Sequence, residues 1–173
     1  MNLKLVKLTK EYENQLKSML DEWTKNKSKD SYDLTPWALF KNDYNDFENY
    51  INNLEVKDET DGLVLDSTFF CLDLSRNIFV GAVNIRHYLN DYLLKYGGHI
   101  GDGIRPSERG KGYGTKMIAL ALEECTKLKI KRVLMTCNKK NIASRKTIIS
   151  NGGILDSEVE LDGEMIQRFW IEL

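Results

Sequence analysis

The sequence is poor in the residue types that mark fibrous, disulfide-rich or membrane-spanning proteins. Among its 173 residues there are only 2 prolines, 3 cysteines and 2 histidines. So few prolines, beside 12 glycines, exclude collagen-like and proline-rich chains. No stretch approaches the roughly 20 apolar residues that a membrane-spanning helix needs. Hydrophobic residues make up 42% of the chain and charged residues 29%, which is typical of a folded globular protein.

The three cysteines stand alone at Cys71, Cys125 and Cys137, and none belongs to a CxxC pair. An odd number of isolated cysteines makes no closed disulfide set. Residues 1–12 mix lysines with apolar residues and lack the continuous apolar core of a signal peptide. We therefore expect reduced, buried cysteines in a cytoplasmic protein. Two histidines alone cannot form a zinc site, so no metal site is predicted.

Charge is distributed unevenly along the chain. Residues 21–61 contain eleven acidic residues and five lysines, whereas residues 105–146 contain twelve basic residues and three acidic ones. This asymmetry predicts one surface that suits an anion and another that suits a cation. The alternative is two solvated faces without a partner.

Hydrophobic periodicity predicts the order β, α, α, a meander of three strands, and then α, β, α, β, β. The strands are expected at about 3–8, 67–74, 77–87, 99–104 and 132–137, followed by a hairpin over 154–173 with Asp162–Gly163 at its tip. The helices are expected near 12–23, within 37–54 as one or two helices, and over 115–128 and 142–150. Because the chain shows no internal repeat and no linker, we expect one mixed α+β domain over residues 1–173.

A glycine-rich loop between the fourth strand and the following helix is the most informative segment. The strand ends at Ile104, and Gly110, Gly112 and Gly114 precede the helix. Glycines at a helix start expose successive backbone N–H groups with no side chain in the way. Together with the positive end of the helix dipole, these donors form an anion site that suits a pyrophosphate.

The charged residues of this loop favour an anion, but two well-known phosphate motifs do not fit. Arg109, Lys111 and Lys116 add positive charge. A P-loop requires Ser or Thr after its Gly-Lys pair, and here Gly112 follows Lys111. The dinucleotide motif GxGxxG also fails, because neither spacing ends in glycine. A tight strand-to-helix turn without a ligand is the simpler alternative.

The same loop resembles the signature of a known enzyme family. Arg109-x-x-Gly112-x-Gly114 is similar to the Q/R-x-x-G-x-G/A signature of the GCN5-related N-acetyltransferases, the GNAT family. Residues 103–106 resemble the end of that family's fourth strand, and residues 133–136 resemble its fifth. Asn141-x-x-Ser144, followed by Asn151-Gly152, is similar to the family's N-x-x-A/S segment. The resemblance implies a mixed, mostly antiparallel seven-stranded sheet that is flanked by helices and splayed between strands four and five.

In this family the gap between strands four and five holds acetyl-coenzyme A. The resemblance implies corresponding contacts between the cofactor and this chain. Backbone N–H groups over 109–115 would hold the pyrophosphate, and main-chain groups at Ile104 and Arg105 would pair with the pantetheine arm. Asn141 and Ser144, with Asn138, match positions that approach the cofactor. The cofactor-binding residues expected are Ile104, Arg105, Arg109, Gly110, Lys111, Gly112, Tyr113, Gly114, Thr115, Asn138, Asn141 and Ser144.

The implied reaction is direct acetyl transfer from the thioester to a primary amine of a small-molecule or peptide acceptor. An alkylamine has a pKa of about 10.4 and must lose a proton before it attacks, so the site needs a base. The fourth strand offers His99 and Asp102, whose odd separation places them on opposite faces. His99 titrates near neutral pH and is the first candidate; His87 is a weaker one. The alternatives are a histidine bonded to backbone and a solvated aspartate.

One position departs from the family pattern. The family's proton-donating tyrosine corresponds to Ile148, which cannot donate a proton. A non-catalytic acyl-CoA-binding module or sensor is therefore an alternative function. An RNA-binding protein is a second alternative, against which the absence of aromatic stacking motifs and a pI of about 6.2 argue.

The acceptor is expected over the N-terminal helices, which are acidic and aromatic. An acidic, aromatic surface would favour a cationic amine. The aromatic residues concerned are Trp37, Phe40, Tyr44, Phe47 and Tyr50, and the alternative is that they form helix core. We expect no nucleic-acid or membrane partner, and a monomer or a homodimer.

Overall fold

The structure is a computed structural model that describes residues 1–25, 34–59 and 62–173. The strands are β1 (Leu3–Val6), β2 (Asp66–Asp73), β3 (Ile78–Arg86), β4 (Ile100–Ile104), β5 (Arg132–Asn138), β6 (Ile154–Leu161) and β7 (Glu164–Glu172). The helices are α1 (Glu13–Lys25), α2 (Phe47–Asn52), α3 (Tyr113–Lys127) and α4 (Ile142–Ser150). The predicted element order is confirmed. The segment 37–54 forms less helix than expected. Its helical parts are a short turn at Trp37–Leu39 and the six-residue α2.

The strands form two antiparallel sheets, one with the order β1-β2-β3-β4 and one with the order β5-β7-β6. This confirms the predicted mixed α+β architecture, with the division between strands four and five. Strand β3 is buried along almost its whole length. Its apolar sequence is continuous rather than alternating because α1 covers one face of the first sheet and α3 covers the other.

Strands β4 and β5 are neighbours at their beginning and then separate. The His99 N–H donates to the Leu134 carbonyl at 2.7 Å, and the Leu134 N–H donates to Nδ1 of His99 at 2.9 Å. Within the described part of the chain, no hydrogen-bonded ladder continues from this point. The two strands therefore form the walls of a wedge whose narrow end is the His99–Leu134 contact.

The two cores contain most of the aromatic and sulfur-containing side chains. Cys71, Cys125 and Cys137 are all buried with free thiols, as predicted. Phe47 and Tyr50 are buried in the core beneath α1, and Phe40 and Tyr44 pack against it. These four aromatic residues are therefore helix core, which was the alternative to an acceptor surface. Trp37 differs, because it is 55% exposed.

Candidate active site

A cleft of about 920 Å³ occupies the wedge between β4 and β5. One wall is β4 and the glycine loop, and the opposite wall is the end of β5 with the start of α4. Thr35, Pro36 and Trp37 line it on the α1 side. Gly103 allows this segment to lie close to β4, because a Cβ at that position would be only 2.1 Å from the Thr35 carbonyl oxygen. Groups on both sides of β4 therefore line the cleft: the glycine loop on one side, and Thr35, Pro36 and Trp37 on the other.

The glycine loop presents a row of unpaired backbone donors to this cleft. Gly112 is the residue before α3 and has a φ of +83°, a left-handed conformation that glycine adopts without strain. Helices α2 and α4 are capped by the side chains of Asp46 and Asn141, but α3 has no side-chain cap. Across the described residues, the six N–H groups of 110–115 donate no hydrogen bond. Such a row of free donors at the positive end of a helix is an anion site.

A cluster of charged side chains supports the loop from behind. Arg76, in the turn between β2 and β3, donates two hydrogen bonds of 3.0 Å to Glu108 and one of 2.9 Å to Asp73. It also donates to the Tyr113 hydroxyl at 2.8 Å, which itself donates to Asp73 at 3.0 Å. The hydrogen bonds from Arg76 lower the pKa of Glu108 against the opposing effect of burial. The β2–β3 turn is thereby tied to both ends of the glycine loop.

Several loop side chains that the sequence assigned to the cofactor contact the protein itself. The Lys111 ammonium lies 3.3 Å from Glu108, and the Tyr113 hydroxyl points into the interior. Arg109 Nε donates to the Ile104 carbonyl at 3.0 Å. These side chains shape the loop, so the groups left for a ligand at these positions are mainly backbone N–H groups.

The expected main-chain role of Arg105 disagrees with the structure. Its N–H donates to the Val80 carbonyl and its carbonyl accepts from the Glu108 N–H, both at 2.9 Å. Its side chain is paired with Glu22 of α1. Because alternate residues of a strand direct their main-chain groups to opposite sides, the N–H of Ile104 points toward the open wedge instead. Arg105 therefore connects elements of the fold, and the group left for a ligand at this edge is the N–H of Ile104, whose carbonyl accepts from Arg109.

The residues expected on the opposite wall do line the cleft, but two of them also have structural contacts. Asn141 caps α4 by accepting the Ser144 N–H at 3.0 Å. Asn138 accepts the Lys140 N–H at 2.8 Å and donates to Glu164 at 3.0 Å. All three of Asn138, Asn141 and Ser144 belong to the cleft lining. They position the β5–α4 corner and leave α4 facing the glycine loop across the cleft.

A family model described as "Acetyltransferase (GNAT) domain" matches residues 2–154. The chain belongs to the GNAT acetyltransferase family. Members of this family are acyltransferases that use acetyl-CoA, which favours an enzyme over a binding module. No functionally curated protein matches the sequence.

Solved structures share the GNAT fold at low sequence identity. A spermidine N-acetyltransferase variant from Vibrio cholerae superposes with a TM-score of 0.67 at 17% identity, covering 99% of this chain and 94% of that one. The GNAT acetyltransferase from Bacillus anthracis gives a TM-score of 0.66 at 16% identity, covering 99% and 95% of the two chains. At such identities the similarity shows the fold alone. In the described ranges no helix is long and apolar enough to cross a membrane, and no cluster of potential metal ligands occurs.

Asp102 is the candidate base that lies in the cleft of this GNAT domain. Its carboxylate is half-buried and accepts no hydrogen bond within the described ranges, whereas its carbonyl accepts from the Thr35 hydroxyl at 3.0 Å. Burial raises the pKa of Asp102 to about 6, against a smaller opposing effect of the Arg86 charge. At neutral pH it is therefore an ionised, weakly solvated proton acceptor.

His99 has a different environment. It is 7% exposed and does not belong to the cleft lining, and its Nδ1 is engaged by the Leu134 N–H. Burial and the Arg86 charge lower the pKa of His99 to about 4, so its ring is neutral at physiological pH. His87 also lies outside the lining, with Nε2 at 2.9 Å from the Ser67 hydroxyl. The geometry thus favours Asp102 over both histidines.

The sequence indicated one missing side chain, the family's tyrosine, and gave no role to two side chains that line the cleft. Ile148, at the position of the family's tyrosine, is fully buried in the core beneath α3. Arg86 and Tyr96 both line the cleft, although neither was selected from the sequence. A signal for Arg86 existed, because it is a charged residue that closes the apolar run of β3. Tyr96 gave no comparable signal, because its connector has no recognisable pattern.

Proposed function

We propose that this chain is an acetyl-CoA-dependent N-acetyltransferase whose cofactor lies in the wedge between β4 and β5. The observation that carries this proposal is the row of unpaired N–H groups over 110–115, which suits a pyrophosphate. The edge of β4 at Ile104 suits an extended amide-containing arm, which would add to the sheet like a further strand. The acceptor is a primary amine on a small molecule or peptide that enters from the Trp37 side.

Acetyl-CoA supplies the acetyl group as a thioester, and the chain supplies orientation and a proton acceptor. The acceptor nitrogen forms a bond to the acetyl carbon while the carbon–sulfur bond breaks. Asp102 takes the proton that the nitrogen loses, directly or through a water. Its pKa of about 6 keeps it ionised at neutral pH and makes it a stronger base than an ordinary aspartate.

The same carboxyl group accounts for the missing tyrosine. A protonated Asp102 with a pKa of about 6 is acidic enough to protonate a thiolate, whose thiol has an ordinary pKa of about 8.5. The proton from the amine would then leave on the departing sulfur. We therefore propose that Asp102 serves as base and then as acid, so that no donor is required at Ile148.

The decisive experiment is a calorimetric titration of acetyl-CoA into the wild type, Gly112→Glu and Gly163→Glu. Both glycines have a left-handed φ, +83° and +80°, so the two variants carry the same charge and comparable backbone strain. Gly163 lies in the β6–β7 turn outside the cleft lining. We expect Gly112→Glu to weaken binding by at least 100-fold because its carboxylate occupies the anion site, and Gly163→Glu to bind normally. Equal affinities would reject the loop assignment, and an inert wild type would reject the proposed function.

A further inference from the structure

Arg86 ends β3 and turns its guanidinium over the neighbouring strand. A Cβ built on Gly101 would lie only 3.1 Å from Nη2 and 3.2 Å from Nη1, so the absence of a side chain there makes room for the guanidinium. Arg86, Gly101 and Asp102 all line the cleft. The Arg86 charge also acts on Asp102 and on His99.

This guanidinium lacks the partners that other arginines of the chain have. Arg76 and Arg105 are both paired with carboxylates. Within residues 1–25, 34–59 and 62–173, Arg86 makes no ion pair, and its single hydrogen bond, to the Gly97 carbonyl, is 3.5 Å long. Asp66 lies opposite it in the β2–β3 ladder, but that carboxylate accepts the Val56 N–H. Burial lowers the pKa of Arg86, which reflects the cost of a poorly solvated cation.

A carboxylate is the group that best satisfies such a side chain. A guanidinium binds a carboxylate through two parallel N–H···O hydrogen bonds, which fixes orientation as well as position. A polyamine, by contrast, would bring further positive charge to Arg86. The cleft therefore contains a recognition element for an anion on the acceptor side of β4, separate from the glycine loop.

We propose that Arg86 binds the carboxylate of the acceptor, and that the acceptor is an α-amino acid or a similarly small amine with a carboxylate. The inference rests on the proposed function, because it places the acceptor beside the thioester. The guanidinium lies over Gly101, the residue before Asp102 in β4, and Arg86, Gly101 and Asp102 all line the same cleft. An α-amino acid bound through its carboxylate at Arg86 would carry its amine one carbon away, within the same cleft.

The test compares matched acceptors in steady-state acetylation: L-leucine, L-leucinamide, the dipeptide leucylglycine, and spermidine. Removing the carboxylate charge lowers the basicity of the neighbouring amine, so intrinsic reactivity favours the amide over the amino acid. We expect the reverse order in the enzyme, with kcat/KM for leucine at least 10-fold above the value for leucinamide. Leucylglycine distinguishes a free amino acid from a peptide whose carboxylate is further from the amine.

Variants assign the preference to Arg86. Arg86→Met should lower kcat/KM for leucine by at least 100-fold while changing the value for leucinamide less than 3-fold and leaving the acetyl-CoA Kd unchanged. Arg86→Lys retains the charge without the two-pronged geometry and should keep part of the preference, which also covers a failure of Arg86→Met to fold. Arg132→Met, which removes an exposed arginine paired with Glu172 outside the cleft lining, should retain the full preference.

Each remaining outcome contradicts the proposal in a recognisable way. Equal loss for all acceptors in Arg86→Met would assign Arg86 to the acetyl group or to the fold, and would overturn the carboxylate anchor. A wild type that prefers spermidine or leucinamide would overturn it too, while the acetyltransferase function stands. A wild type that binds no acetyl-CoA would overturn both proposals.

Discussion

The imidazole of His99 occupies a place between two strands that a backbone group would normally fill. Its Nδ1 accepts the Leu134 N–H at 2.9 Å, while the His99 N–H donates to the Leu134 carbonyl at 2.7 Å. One residue before β4 thus satisfies both main-chain groups of one residue of β5. Beyond this pair no ladder joins β4 and β5 in the described residues, and the two strands belong to different sheets. We infer that His99 is a positioning residue that sets the narrow end of the cleft.

Replacing His99 tests this role. His99→Leu leaves the buried Leu134 N–H without an acceptor and should lower the free energy of unfolding by about 1–3 kcal/mol. His99→Asn keeps an acceptor oxygen near the position of Nδ1 and should lose less. Urea unfolding of both variants and the wild type measures the difference. Equal stability of the two variants would mean that the Nδ1 contact contributes nothing.

The role of Asp102 as base predicts a large kinetic effect. Asp102→Asn should lower kcat by about 10²- to 10⁴-fold, the usual contribution of a general base, with an unchanged Kd for acetyl-CoA. The wild-type pH–rate profile should rise through a pKa of about 6, and the variant should lack this limb. Asp58→Asn removes an exposed carboxylate and serves as the control. A wild-type rate for Asp102→Asn, or the same limb in its profile, would exclude this base.

The pKa values of Asp102 and His99 give opposite contributions to the pH dependence of stability. Burial raises the pKa of Asp102 from 3.8 to about 6, so the folded state holds the extra proton in this window and stability is lost as pH rises from about 4 to 6. Burial lowers the pKa of His99 from 6.5 to about 4, so the unfolded state holds the extra proton and stability is lost as pH falls from 6.5 to 4. The two effects largely cancel between pH 4 and 6.

Asp102→Asn should uncover the effect of His99. The variant should be more stable than the wild type at pH 7, by up to about 3 kcal/mol for a shift of about two pKa units. Its stability should then fall more steeply than that of the wild type as pH decreases from 6.5 to 4. Unfolding free energies measured at several pH values test both statements. A variant less stable than the wild type at pH 7 would contradict the raised pKa of Asp102.

The cluster behind the glycine loop predicts a combined loss of stability and affinity. Arg76→Met leaves the buried carboxylates of Asp73 and Glu108 without their main partner and should cost about 3–5 kcal/mol. Acetyl-CoA binding should weaken as well, because the cluster holds the loop that presents the free N–H groups. Lys111→Met removes only the longer 3.3 Å contact to Glu108 and is the milder comparison. Unchanged unfolding and unchanged affinity in Arg76→Met would show that the loop does not depend on this support.

Local features of the site could be predicted from the sequence. Glycines at 110, 112 and 114 permit a tight loop for reasons of local backbone sterics. The structure shows this loop with unpaired N–H groups. Strand β3 and the position of the wedge followed from hydrophobic patterning and the family signature. These properties depend on a few neighbouring residues. They could be predicted because they do not require knowledge of how distant segments pack.

Properties that depend on distant contacts could not be predicted. The main-chain groups of Arg105 are occupied because of its register against Val80 and a turn to Glu108, and its side chain meets Glu22. His99 was favoured as base from its ordinary pKa, but burial beside Leu134 changes that pKa. The charge of Arg86 is visible in the sequence, but its lack of an ion-pair partner within the described residues depends on how β3 and β4 pack around Gly101. In each case a tertiary neighbour, invisible in the sequence pattern, decides the chemistry.

The contacts of Glu22 bear on how the two substrates influence each other. One oxygen of its carboxylate accepts from the Arg105 side chain and the other accepts the Ser107 N–H at 2.7 Å. Helix α1 is thereby fastened to the corner through which β4 passes into the glycine loop. A displacement of α1 would therefore pull on that corner, and a rearrangement of the corner would act on α1. We infer that binding in one half of the cleft affects the other half through Glu22.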